Sequence, residues 1–399
     1  MTNTLASPLQ RARKNAGLSQ ETAAKATGIN RVLIAYYETG RRQPPLNAVA
    51  RLAKLYGITV QSLMEDEDLE VADTAADQVL FRTAPAELTD EAKAGARRFS
   101  IGIDSYLELL QDIGQKPPGQ GNSPFPPIKE RVGQREVARL AREVREYLSL
   151  GTGPVGNLFR VVDEHFLVFR LPLGKELQTA PSGLFLNHPQ AGFCIAVNCE
   201  MTLGRQVFTL AHEIGHAFFH SQQSHALISM AGAPVMRERF ADAFAGEFLV
   251  PGDTLAKLVR ELEVVGEEIS DPAVVVHLQR HFGVSYAALL VRLRQERHLP
   301  QEAYEELALV SPSRLAQSLG YEVTPADMGQ YSMSSLDQFP DRLLWLVRRA
   351  VIRGTMTRGD AAETLGVSLE EVLRLLEQAP AEEHERKHLE EMQQVAHFG

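Results

Sequence analysis

Apolar positions in the first 70 residues recur in short helical stretches separated by Gly and Pro. Residues 9–15 read as a first helix broken by Gly17, and Ser19 can cap a second through Ala23, Ala24 and Ala26, which Gly28 ends. Asn30 precedes a third over 31–38, closed by Gly40; Pro44 or Pro45 opens a fourth through Val49, Leu52 and Ala53, and Ser62 with Glu65 can cap a fifth short turn. After an acidic stretch at 65–77, read as a solvated hinge, residues 89–114 are helical in pattern, with Phe99, Tyr106, Leu109, Leu110 and Ile113 available for packing. The prolines and glycines of 116–127 exclude a helix or a central strand, so that segment reads as a linker or a long surface loop. Residues 128–150 then form a charged amphipathic helix whose apolar face is Val132, Val137, Leu140, Ala141, Val144 and Leu148.

Further on the pattern changes period. Segments 161–171, 182–187 and 192–198 read as strands of a small sheet lying in front of an apolar helix around 208–220. Asp271-Pro272 starts one later helix and Ser285 caps another; helices are also expected at 343–353, at 357–366 and, capped by Ser368 and Glu371, through Leu376. The last two imitate a helix-turn-helix spacing, but Glu370, Glu371 and Glu377 make the would-be reading face acidic, so protein packing is expected there rather than DNA contact.

A chain of 399 residues exceeds what one ordinary core encloses, so several compact units are expected. With 44% hydrophobic and 23% charged residues, disordered and fibrous classes are excluded. The net charge of −10 hides an asymmetry: residues 1–63 carry nine Lys or Arg against Glu21 and Glu38, a net of +7, leaving about −17 for the rest. Charge confined in this way suggests a nucleic-acid face at one end. Two cysteines, Cys194 and Cys199, supply neither a disulfide framework nor a thiolate zinc site, and Cys194 is read as a packing residue. No run approaches about 18 apolar residues and no basic-then-apolar leader opens the chain, so a cytoplasmic protein with no membrane partner is expected.

The string from Gly17 through Gln20, Gly28, Ile34, Glu38 and Gly40 to Pro44 resembles the helix-turn-helix domain of phage-repressor-like regulators over residues 10–64. The resemblance implies that the third helix reads bases through Arg31, Val32 and Tyr36, that Gln20 contacts phosphate or base, and that Arg41 and Arg42 anchor the DNA backbone. Val32 and Tyr36 stand where small polar residues are frequent, so hydrogen-bonded readout falls mainly to Arg31, with a thymine methyl within the reach of Val32. One such module buries little DNA, so a homodimer on a two-fold operator is the expected partner arrangement with duplex DNA.

The string Phe208-Thr-Leu-Ala-His212-Glu213-Ile-Gly-His216-Ala-Phe-Phe-His220 carries the chemistry. Four steps of about 100° bring His216 to within about 40° of His212, one turn on, so two imidazoles can grip one cation, and Glu213 can take a proton from water held there. Glu238, on a second amphipathic helix, is the candidate third ligand. Asp242, one turn further, can accept the remaining ring N–H of a ligating histidine. Glu247 lies about 900° beyond Glu238, half a turn off its face, and is expected to be solvated. His220 points near the side of His212 and is at most a substrate contact or a transition-state donor.

Residues 182–251 resemble the phage-immunity anti-repressor and radiation-response metallopeptidase family, through Phe-Thr-Leu-Ala-His-Glu-Ile-Gly-His and Glu238-x-x-Ala-Asp242-x-Phe-Ala. The resemblance implies His212, His216 and Glu238 as Zn2+ ligands and Glu213 as general base, a zincin-like fold, a role in stress response, and cleavage of a helix-turn-helix repressor. The expected architecture is multidomain. An all-α helix-turn-helix domain (1–70) and a helical connection with a Pro/Gly-rich linker (71–127) lead into an α+β zincin-like metallopeptidase domain (128–300) and a mainly helical C-terminal region (301–399). The expected function is a DNA-binding transcription regulator with a zinc-dependent endopeptidase domain. The alternative is a noncatalytic regulator whose metal-bearing domain senses a ligand, peptide or partner.

Overall fold

In a computed structural model of the chain, the described residues are 6–16, 18–56, 60, 63, 88–128, 132–176, 179–222, 226–230, 236–262, 269–323 and 333–377. The expected turn capped by Ser62 and the acidic stretch at 65–77 lie outside them.

Four helices open the chain: α1 (Ala6–Asn15), α2 (Gln20–Thr27), α3 (Arg31–Glu38) and α4 (Leu46–Tyr56). Ser19 caps α2 by accepting from the Thr22 N–H, and Gly28 ends it at φ 67°, a left-handed conformation that glycine adopts without a Cβ penalty. Asn30 caps α3 from its side chain at 2.8 Å. Leu9, Ile34, Leu52 and Tyr56 are fully enclosed in a common core. Beneath it runs a buried ion pair, in which the Arg13 guanidinium donates to both carboxylate oxygens of Glu38 at 2.6 and 2.9 Å. Glu38→Ala should destabilise this domain by about 3 kcal/mol, the low end for breaking a buried pair because Arg13 keeps some solvent contact. Chemical unfolding of the full chain reads this as an earlier first transition.

α5 (Asp90–Asp112), α6 (Gln134–Tyr147) and the single turn α7 (Leu158–Val161) lead into a sheet of β1 (Leu167–Leu171), β2 (Pro181–His188), β3 (Gly192–Asn198) and β4 (Ala226–Met230). Its order is β1-β3-β2-β4, with β1 and β3 parallel and the other pairs antiparallel. Alternation assigns each strand residue to one of two cores. Val168, Phe185, Phe193, Ile195 and Val197 face the core built with α8 (Leu203–Phe219) and α9 (Met236–Leu249). Leu167, Phe169, Leu184, Leu186, Cys194 and Ala196 face the core shared with α5. The segment 161–171 is therefore not one strand: its start is the turn α7, where the Val161 N–H bonds to the Asn157 carbonyl, and the polar run at 163–165 separates it from β1.

Behind α9 lie α10 (Gly252–Glu261), α11 (Pro272–Phe282), α12 (Tyr286–Gln295), α13 (Gln301–Leu307) and α14 (Pro312–Ser318). The last helices, α15 (Asp341–Arg353), α16 (Arg358–Leu365) and α17 (Leu369–Glu377), cover the other face of the sheet, where Leu343, Leu346 and Val347 join Phe99 and Phe169. The chain is thus an all-α helix-turn-helix region, a mixed α/β region and a mainly helical C-terminal region. Among the described residues no single helix is long and apolar enough to cross a membrane.

Candidate metal centre and DNA-facing helix

α8 and α9 cross closely because Gly215 faces Phe244: a Cβ at Gly215 would come within 2.9 Å of the Phe244 ring. That approach brings His212 and His216 against Glu238. His212 Nε2 lies 3.0 Å from His216 Nε2 and 3.1 Å from Glu238 Oε2, and His216 Nε2 lies 3.3 Å from Glu238 Oε1. A tetrahedral ion with ligands at about 2.0–2.1 Å has donor–donor edges of about 3.3–3.4 Å, so this donor set fits a zinc-sized cation. Both histidines are buried, and lone pairs converging at such distances repel unless positive charge lies between them. Among the described residues this is the one group of His, Cys, Asp or Glu found close enough to hold a metal.

The electrostatics agree. Burial opposes a charge on His212, but hydrogen bonds to Asp242 and Glu238 outweigh it and push its pKa up to about 10. Burial also opposes a charge on Glu238, yet its bonds to His212 and His216 hold its carboxyl well below the usual range. Both shifts mark a place that favours positive charge. Asp242 Oδ1 meets His212 Nδ1 at 2.9 Å, the position that fixes which ring nitrogen faces Glu238.

Glu213 is fully enclosed, and burial raises its pKa against the pull of His212 and His216. Neither carboxylate oxygen has a hydrogen-bond partner among the described residues; the Ser229 hydroxyl favours the charged form from nearby without bonding to it. Its room comes from Gly183 on β2, where a Cβ would stand 2.5 Å from Glu213 Oε1. A cleft of about 780 Å³ opens beside the cluster, bordered by Ser182 and Ser229 of the sheet, Phe208 and His212 of α8, Glu238 of α9 and Val291 of α12.

Two readings change. Glu247 is not solvated: it is buried, pairs with Arg292 of α12 and accepts the Gly252 N–H at 2.9 Å. The face of α9 half a turn from Glu238 packs against α12 and does not face water. His220 is buried behind His216 rather than turned to the cleft, with the two Nδ1 atoms 3.0 Å apart. The signal was present in the sequence, since 212, 216 and 220 repeat the same four-residue step. Strand β4, which brings Ser229 to the cleft, was not anticipated; five residues beside an undescribed stretch carry little alternation.

On α3, Arg31, Val32 and Tyr36 are exposed, with Arg31 Nε 3.6 Å from the exposed Glu21 carboxylate. Gln20 donates from Nε2 to Glu38 Oε2 at 2.9 Å, which holds its amide at the start of α2. Arg41 and Arg42 lie on the exposed turn after α3, where the Arg42 N–H bonds to the Tyr36 carbonyl.

Comparison with known families finds two matches. A peptidase-family profile described as the IrrE N-terminal-like domain matches residues 166–294, from the edge of β1 to near the end of α12, and one described as a helix-turn-helix domain matches residues 4–65. No curated protein matches the chain.

Proposed function

Because the chain joins an N-terminal helix-turn-helix domain to an IrrE N-terminal-like domain, we propose that it is a DNA-binding transcription regulator whose second domain is a zinc-dependent endopeptidase acting on a repressor or related regulatory protein. The convergence of His212, His216 and Glu238 beside an open cleft carries this reading. Zinc bound there supplies Lewis acidity toward water and a peptide carbonyl. Glu213 takes the proton of the attacking water and delivers it to the leaving amine. Asp242 keeps the His212 ring oriented. An extended substrate segment lies along β4, the edge strand of the sheet that borders the cleft, and adds to it as a further strand.

A second reading, a noncatalytic metal-bearing regulator, is favoured by the complete burial of Glu213. Incubating the full chain with the helix-turn-helix repressors encoded beside it, with and without DNA, and weighing the products separates the two. Chelator-sensitive cleavage supports the peptidase; intact partners under every condition, with gene regulation retained, support the sensor.

On the DNA side, the protein acts as a homodimer in the cytoplasm on a two-fold operator. Arg41→Ala and Arg42→Ala should weaken binding to all duplexes and flatten the salt dependence by about 0.9 in log–log slope for each phosphate no longer neutralised. Arg31→Ala should instead cost about 1–3 kcal/mol of discrimination between operator and mismatched duplex. Fluorescence anisotropy across a salt series reads both, and an unchanged slope in the Arg41/Arg42 double variant removes the backbone assignment.

A further inference from the structure

The two candidate imidazole ligands are supported from behind by different groups. His212 has Asp242 on its Nδ1. His216, fully buried, has another imidazole, that of His220, at 3.0 Å from its Nδ1. His220 is the residue at which α8 ends: its N–H still bonds to the His216 carbonyl at 2.9 Å while its φ of −123° leaves the helix, so its ring folds back under His216. The ring packs edge-on against Phe240 of α9, with centroids 5.4 Å apart and planes at 89°, so it is held by a helix that also carries Glu238.

We propose that His220 is a positioning residue, whose neutral ring accepts a hydrogen bond from His216 Nδ1–H and so fixes His216 with Nε2 toward Glu238 and His212. The proton assignment follows from valence. A neutral imidazole carries one N–H. If Nε2 of His216 gives its lone pair to a cation, the proton is on Nδ1, and the atom 3.0 Å away must be an acceptor. His220 therefore holds its own proton on Nε2. No carboxylate is needed at this position, where a second anion near Glu238 would have to be enclosed.

The inference rests on the metal-centre reading, and the test keeps the two apart. Zn2+ affinity of the full-length wild type, His220→Phe and His220→Asn is measured by competition with a chromophoric chelator, alongside thermal unfolding without added metal. The Phe variant keeps an aromatic ring against Phe240 but offers no acceptor; Asn places its side-chain oxygen near the former Nδ1. Affinity should fall about 10–100-fold in His220→Phe and return to within a few-fold of wild type in His220→Asn, whichever variant unfolds first. A purely structural role makes affinity follow stability instead, and equal affinities in all three proteins overturn the proposal. Failure of the wild type to bind Zn2+ overturns the metal-centre reading itself. A second measurement needs no variant: in Zn2+-loaded protein with 15N-labelled histidine, Nδ1 of His216 should be protonated and Nδ1 of His220 unprotonated. The reverse pattern overturns the proposal.

Discussion

Replacing His212, His216 or Glu238 by Ala should each lower Zn2+ affinity roughly a thousand-fold, since a binding free energy of about 10–16 kcal/mol at a full site assigns several kcal/mol to each ligand. The effect is this large because the three donors converge from two rigid helices, so none can be replaced by a neighbour without moving α8 against α9. Glu247→Ala is the internal control. It should leave Zn2+ affinity near wild type yet destabilise the protein by about 3 kcal/mol, because buried Arg292 then loses one of its two carboxylates, keeping only Glu296, and the Gly252 N–H loses its acceptor. Chelator competition and chemical unfolding on the same preparations separate the two outcomes. If Glu238→Ala binds Zn2+ as wild type does and Glu247→Ala does not, the ligand assignment is wrong.

Glu213→Gln should reduce peptide cleavage by about 10²–10⁴-fold while Zn2+ content is unchanged. Gln matches the size of Glu, so it fits the space left by Gly183 and does not disturb the His212–Glu238 contact. What it loses is the ability to hold a proton between water and the departing amine. Single-turnover cleavage of a repressor, with product masses and metal content measured together, checks this. Loss of metal in the variant assigns Glu213 a structural role, whereas full activity sets aside the general-base assignment.

Much of this was legible from local chemistry. Helices with side-chain caps and glycine ends, such as α2 between Ser19 and Gly28 and α11 between Asp271 and Gly283, follow from rules that act within a few residues. The two imidazoles one turn apart were legible for the same reason, because helical periodicity alone puts them together. What required the tertiary structure was knowledge of what lies on each face. Helical periodicity puts Glu247 half a turn from Glu238, but only the packing of α12 shows that this side of α9 is interior. The 116–127 segment has no helix or strand, as its prolines dictate, yet it is bound to the sheet: Gly119 donates to the Gln190 carbonyl at 2.8 Å, and Gly121 exchanges two 2.9 Å bonds with Asn187. Gly121 is required there because a Cβ would stand 2.6 Å from the Phe193 ring. Proline and glycine exclude regular structure without excluding packing, so composition alone could not tell a strap from a linker.

The most direct test of the central claim is anomalous diffraction at the zinc edge from crystals of the full chain grown with Zn2+. The account requires one strong peak about 2.0–2.2 Å from His212 Nε2, His216 Nε2 and a Glu238 carboxylate oxygen, with Asp242 and His220 on the far sides of the two rings and Glu213 bonded to no metal. A peak held by other residues, or a zinc-soaked crystal with no peak at this cluster, contradicts it.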